Sequence, residues 1–317
     1  METPDLHFGI GAALGADQTS SQARWMEELG YEYFSAGEHF MRGSPPGPTH
    51  AVLPLLAVAA GATEKIRLLS SILLAPFYHP IVLAKLTTTL DIASGGRLTL
   101  GVGVGGEFPM EFEAAGLDVK QRGRRTNECL EALVQLWTQG SVNYSGRHFQ
   151  LDAASINPHP VQRPHPPIWV SGRRDAAMER AARLGEGWLP YFYDPLHYRA
   201  SVSKIQDIAS EIGRDLSHFQ WAFMPYISIY PTVDEAARVA ANELGGRYLY
   251  NSDFIKIVRR YCLLGPVEEC VSRLTEYIEA GARHIIFSIS CPREDRVRHI
   301  ETIAKDIIPL LQQRSLA

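Results

Sequence analysis

Short apolar runs alternate along the whole chain with longer segments of helical spacing. The runs are Leu6–Ala12, Tyr31–Gly37, Ile66–Leu74, Arg97–Val104, Ile168–Gly172, Gly187–Pro190, Phe219–Tyr230 and His284–Ser290. Most are apolar almost throughout, the pattern of a parallel strand covered on both faces. Between them Gln18–Leu29, Leu53–Ala60, Pro80–Ala93, Thr126–Trp137, Asp175–Leu184, Tyr198–Ile212, Pro266–Glu279 and Val297–Leu311 repeat apolar positions at helical intervals. Gly30 follows the first as a C′ glycine would. Pro80 and Pro266 suit a first helical turn, where the missing N–H costs little. A strand followed by a helix, repeated along the chain, predicts an α/β fold of the (β/α)8 TIM-barrel type, one domain over residues 1–317. A doubly wound sheet with a second domain is the rival architecture.

Two segments interrupt the alternation. Residues 140–167 lack helical spacing: Ser141–Asp152 reads as a hairpin turned at Ser145–Gly146, and Asn157–Pro167 holds five prolines. Residues 231–265 carry extra helical material, with Tyr248, Tyr250, Arg259, Arg260 and Tyr261. Both are expected as insertions at the C-terminal face of the barrel, shaping a substrate pocket. Phe40, Phe77, Tyr78, Trp188, Tyr191 and Phe192 predict a largely apolar cavity.

Composition narrows the function classes. The chain has 317 residues, 45% hydrophobic and 21% charged, which is ordinary for a globular protein. A net charge of −4 argues against a binder of nucleic acid or anionic membrane. Cys129, Cys262, Cys270 and Cys291 form no Cys-x-x-Cys pair, so reduced thiols and a cytoplasmic location are expected rather than disulfides or zinc. No basic segment leads into an apolar run at the start, and no apolar stretch reaches about 18 residues, so neither a secretory leader nor a membrane span is expected. No His-x-x-x-His or Glu-x-x-His spacing calls for a metal.

Chemistry concentrates at strand ends. Glu38-His39 closes the second run, where a histidine could exchange a proton with a carbonyl or alcohol oxygen, or serve as a hydrogen-bonded structural group. Ser70–Pro76, then His79-Pro80, reads as a buried strand, a turn and a helix start. In Gly101-Val102-Gly103-Val104-Gly105-Gly106, glycines recur along a strand, each costing about 0.5–1 kcal/mol. Such glycines make room for a flat ligand or for tight packing inside a barrel. This is not a dinucleotide fingerprint, because no clear helix opens directly after it. Glu107, just past the strand, would face a ligand there as an acid. Ser171-Gly172-Arg173 runs from a strand straight into a helix, offering free N–H groups, a hydroxyl and a guanidinium to an anion. Gln121–Arg125 is a charged helix start that reads equally well as a solvated face.

Taken together, Gly30-Tyr31 to Glu38-His39-Phe40, Ala75-Pro76 to His79-Pro80, Thr89-Leu90-Asp91 to Gly103, Arg122–Arg125, Pro160 to Trp169 and Ala181 to Trp188 resemble the bacterial-luciferase-like superfamily. The branch most similar is that of oxidoreductases dependent on a flavin or on the deazaflavin coenzyme F420. The resemblance implies a (β/α)8 barrel holding a three-ring cofactor at its C-terminal mouth, a small-molecule substrate and a homodimer. It implies a cis Ser71–Ile72 peptide against the ring. It carries Glu38 over as a ring contact, His39 as a catalytic residue, and Glu107 as proton donor with Glu111 as its rival. Ser171, Gly172 and Arg173 match the turn that binds the cofactor phosphate, while Gly103, Gly105 and Gly106 border the ring. The implied reaction is hydride transfer between F420 and a small organic substrate. The alternative is an FMN-dependent monooxygenase using O2 and a separate reductase.

Overall fold

In the computed structural model, residues 5–43, 45–245 and 253–316 are described. Eight parallel strands form the frame: β1 His7–Gly11, β2 Tyr33–Ala36, β3 Arg67–Ser70, β4 Leu98–Gly103, β5 Ile168–Val170, β6 Gly187–Trp188, β7 Gln220–Phe223 and β8 His284–Ile289. Each pairs with the next, and β8 returns to β1 with His7 opposite His284 and Ile10 opposite Phe287, which closes the barrel. Helices Thr19–Glu28, Val52–Ala62, Pro80–Ala93, Arg122–Thr138, Asp175–Leu184, Pro195–Glu211 and Val267–Glu279 surround it. After β8 the chain runs through Arg296–Thr302, a π turn at Ile303–Ile307 and Ile308–Leu316. The (β/α)8 prediction therefore holds.

The barrel is plugged from inside by Tyr33, Leu69, Trp169, Leu189, Ala222 and Ile286. Glycines make this possible. A Cβ on Gly187 would lie 2.5 Å from Cδ1 of Trp169, and one on Gly101 would lie 2.0 Å from the Ser70 carbonyl oxygen. With the interior filled, the open space is the C-terminal mouth. The opposite rim is stapled by Arg97, whose guanidinium donates to the carbonyls of Ala60, Thr63, Ile66 and Ser94 and to the Thr63 hydroxyl. Asp91 accepts from the Val161 and Gln162 amides and the Gln162 side chain beside it. Much of the Asp91–Arg97 and Pro160–Trp169 motif thus serves the fold.

Several expectations need correction. The run Ile66–Leu74 is β3 followed by a separate pair, Leu73–Leu74, interrupted by a cis Ser71–Ile72 bond. The run Phe219–Tyr230 splits at Met224-Pro225 into β7 and Tyr226–Ile229, because Pro225 brings no N–H to the ladder. Pro266 is the N-cap of its helix rather than part of its first turn. A short helix, Pro109–Ala114, does open soon after the glycine-rich strand, with Pro109 at its start.

The hairpin of residues 140–167 is present as Val142–Ser145 and Gln150–Ala154. However, that segment joins the end of helix Arg122–Thr138 to the start of β5, so it begins and ends at the N-terminal rim rather than the C-terminal face. Residues 231–265 do follow β7, with helices Val233–Gly245 and Phe254–Tyr261 and a strand Leu263–Gly265. Tyr248 and Tyr250 lie outside the described residues.

Candidate active site

A cavity of about 390 Å³ opens at the C-terminal mouth, within the range of about 300–1,000 Å³ common for small-molecule sites. Its floor and inner wall come from strand ends: Gly11 and Ala12, Ser35 to His39, Ser71 and Ile72, Gly103 to Gly105, and Ser171 and Gly172. These are mostly main chain and small side chains, a low-relief wall suited to a planar ring. The outer part is built by the loops after β1 and β2 and the start of helix Thr19–Glu28, including Leu14, Thr19, Arg42, Thr49 and His50. No described residue of the two insertions lines it.

His39 stands at the centre of the polar wall. Its Nδ1 lies 3.0 Å from Oε1 of Glu111, whose other oxygen accepts the Phe40 amide at 2.6 Å and the Met41 amide at 3.2 Å. A carboxylate only accepts, so Nδ1 donates to it; in the neutral imidazole Nε2 then keeps the lone pair. Nε2 lies 4.0 Å from Oε2 of Glu107. The ring stands edge-on to Phe108, with centroids 5.1 Å apart, which fixes its tilt. Glu111 is 1% exposed and does not line the cavity, whereas Glu107 does. The carboxylate facing the cavity is therefore Glu107, and Glu111 sits behind the histidine.

The Glu38 carboxylate is already engaged by the chain's own donors. Although Glu38 borders the cavity, its carboxylate accepts from the Val52 amide at 3.1 Å, the Leu74 amide at 3.1 Å and the Tyr78 hydroxyl at 2.8 Å. The Val52 bond caps the second helix. Burial holds the Glu38 carboxyl above the ordinary carboxylate range, and the three donors pull the other way. Its observed work is to lock β2, the Leu74 turn and that helix together.

The glycines also divide. The space beside Gly103 is taken by Ile72, since a Cβ there would meet Cδ1 of Ile72 at 1.8 Å. Gly103 thus seats the Ile72 side chain while bordering the cavity. Gly105, at φ +61°, lines the cavity against Leu74 and Phe112. Gly106 is not a lining residue; its missing side chain makes room for the Arg122 guanidinium, 2.7 Å from an ideal Cβ. Ser71 and Ser35 face each other through their hydroxyls at 3.1 Å.

At the end of β5, Gly172 has φ +131°, and a Cβ there would fall 2.6 Å from that of Ala177. Only glycine lets the strand turn so tightly into helix Asp175–Leu184, whose N-terminus adjoins the Ser171–Gly172 wall. Arg173 does not line the cavity. Its Nη1 donates to the Phe192 carbonyl at 2.9 Å, and its guanidinium lies 5.3 Å from the Tyr191 ring centre. Of the six aromatics expected in the cavity, only Tyr191 lines it.

The sequence profile described as luciferase-like monooxygenase matches residues 6–284. The chain belongs to the luciferase-like monooxygenase family. It is an enzyme of the oxidoreductase class. Family relatives include the oxygenase component of a flavin-dependent trigonelline monooxygenase from Acinetobacter baylyi, 31% identical over 87% of this chain and 84% of that protein. An F420-dependent glucose-6-phosphate dehydrogenase from Microbacterium testaceum is 25% identical over 98% of this chain and 99% of that protein. An FMNH2-dependent dimethylsulfone monooxygenase from Pseudomonas putida is 29% identical over 71% of this chain and 61% of that protein.

Among solved structures, an F420-dependent secondary alcohol dehydrogenase superposes with a TM-score of 0.84 at 21% identity, covering 97% of this chain and 99% of that one. The monooxygenase RslO1 from Streptomyces bottropensis does so with 0.82 at 24% identity, covering 96% and 99%. At these identities the structures bear out the luciferase-like fold. Relatives of both cofactor types are present. Among the described residues no helix is long and apolar enough to cross a membrane, and no cluster of three metal-ligating side chains occurs.

Proposed function

We propose that the chain is an F420-dependent oxidoreductase acting on a small organic substrate. The carrying observation is His39: its Nδ1 is tied to buried Glu111, so its basic Nε2 faces the cavity across from Glu107. A fixed imidazole beside a carboxylate suits a reaction in which a proton accompanies hydride at an oxygen- or nitrogen-bearing carbon. The deazaflavin, when bound, supplies or takes the hydride at C5. The chain's part is to seat the ring against Ser71–Ile72 and Gly103–Gly105, to receive its anionic end at Ser171–Gly172, and to exclude water. Arg173 and Gly106 act in this reading behind the site rather than as direct ligands.

The second reading is an FMN-dependent monooxygenase fed by a separate reductase. It is favoured by the 31% identity to the trigonelline monooxygenase component. The two separate cleanly in the laboratory. The F420 reading expects oxidation of reduced F420 by a carbonyl, imine or activated alkene under anaerobic conditions, and no oxygenated product from reduced FMN and O2 beyond the spontaneous oxidation of the flavin. Enzyme-dependent incorporation of oxygen into a substrate with reduced FMN, without any F420 turnover, would replace it with the second reading. In either case His39→Ala should lower turnover by about 10² or more while cofactor still binds; unchanged turnover would remove His39 from the mechanism.

A homodimer is part of the same proposal. Val58 on helix Val52–Ala62, with Val82 and Leu86 on the neighbouring Pro80–Ala93, leaves apolar surface outward. A cytoplasmic location is proposed as well, in keeping with four free, buried cysteines.

A further inference from the structure

We propose that Tyr191 is a positioning residue for this site, acting through Glu107; the proposal rests on the functional reading above. Tyr191 lies just beyond β6, in the connection to helix Pro195–Glu211. Its side chain lines the cavity, and its hydroxyl donates to Oε1 of Glu107. That leaves Oε2 as the oxygen turned towards His39 Nε2, 4.0 Å away. The wall thus reads in order as Glu111, His39, Glu107 and Tyr191, held at one end by a buried carboxylate and at the other by a phenol.

The loop is built to present this phenol. Phe192, the next residue, has φ +47°, a left-handed conformation that side-chain-bearing residues rarely adopt. It is kept there by packing: its ring is buried and lies 4.7 Å from that of Tyr226. The Phe192 carbonyl accepts from Arg173, and the same guanidinium covers the Tyr191 ring. Two neighbours therefore hold one tyrosine whose polar end meets Glu107, the pattern expected where a strained backbone serves a site. Burial, reinforced by the Glu107 carboxylate, pushes the Tyr191 phenol far above its ordinary value, so it remains a donor. Without the hydroxyl, Glu107 is free to rotate away from His39.

The test is a double-mutant cycle with Tyr191→Phe, which keeps the ring under Arg173, and Glu107→Gln. Tyr191→Phe should lower kcat about tenfold, with KM and the cofactor Kd, read by fluorescence quenching, changed by less than about twofold. In the Glu107→Gln background the same change should alter kcat by less than about twofold, because the two groups act as a unit. Losses that multiply, or wild-type kcat in Tyr191→Phe, would overturn the proposal. Urea midpoints of a cofactor-free cycle of Tyr191→Phe and Glu107→Ala, which removes the acceptor, judge the pairing separately: non-additive shifts support it and additive shifts overturn it. If the wild-type protein bound neither F420 nor FMN, the functional reading would fall while those midpoints still decided the Tyr191–Glu107 contact.

Discussion

Replacing Glu111 by glutamine changes one atom and should reverse the polarity of the site. In the wild type, one Glu111 oxygen accepts the Phe40 and Met41 amides, and the other faces Nδ1 of His39. An amide has a single acceptor oxygen. Two backbone donors compete with one imidazole for it, so the oxygen stays with Phe40 and Met41 and the NH2 turns to His39. Nδ1 must then accept, and the ring proton moves to Nε2, the nitrogen that faces Glu107 and the cavity.

Packing is conserved and every buried polar atom keeps a partner. The stability cost is therefore about 1–3 kcal/mol, the exchange of charge-assisted bonds for neutral ones. Turnover should suffer more. In a Ser-His-Asp catalytic triad, the same carboxylate-to-amide exchange behind a histidine lowers kcat by about 10⁴, which is about 5.4 kcal/mol of barrier. For Glu111→Gln we expect a fall of about 10²–10⁴, with cofactor affinity within about twofold of wild type. The assays are anaerobic reoxidation of reduced F420, fluorescence quenching for binding, and thermal melting for stability. Turnover within about threefold of wild type, in a protein of unchanged melting temperature, would refute the role given to His39 and its tautomer.

Other expectations follow from the same geometry. Gly101→Ala should be far more damaging than Gly103→Ala, because its Cβ would meet the Ser70 carbonyl at 2.0 Å, whereas that of Gly103 meets the end of the Ile72 side chain. We expect about 1–3 kcal/mol lost for Gly103→Ala and a greater loss, or insoluble protein, for Gly101→Ala, compared by urea unfolding. Glu38→Gln should cost about 1–3 kcal/mol at acid pH by setting an amide NH2 against the Leu74 or Val52 N–H. Because the folded Glu38 carboxyl titrates above its unfolded value, its stabilising contribution is whole below the unfolded pKa and is lost as pH rises through the folded one. The gap in stability between wild type and Glu38→Gln should therefore narrow as pH rises; a gap that widens would show that the donors, not burial, dominate.

The frame of the barrel was legible because strand and helix alternate with little interruption, and because parallel strands covered on both faces are apolar almost throughout. That Glu107 and His39 border the mouth was legible for a local reason: both stand just past a strand, where the barrel opens. What escaped notice depends on partners far along the chain. Glu38 reads from the sequence as a ring contact at a strand end, and nothing local shows that Val52, Leu74 and Tyr78 converge on its carboxylate. The glycines of β4 announce a close approach without naming the visitor, and for Gly101 and Gly103 it is Ser70 and Ile72. Arg173 carries the chemistry of an anion ligand, yet its partners are the Phe192 carbonyl and the Tyr191 ring. The order of elements already places residues 140–167 at the N-terminal rim, since they lead from a helix into a strand. The loop carrying Arg42, Thr49 and His50 has no periodicity to betray it, and it builds the outer cavity.

The central claim is that this mouth seats a three-ring redox cofactor against the Ser71–Ile72 and Gly103–Gly105 wall, and that the cofactor is F420. Parallel titration of the purified protein with oxidised F420 and with FMN, read by fluorescence quenching, tests it most directly. The account predicts saturable quenching of F420 at one site per chain, with FMN bound at least about tenfold more weakly. Tighter FMN binding would contradict the choice of cofactor, and no quenching of either ligand would contradict the site itself.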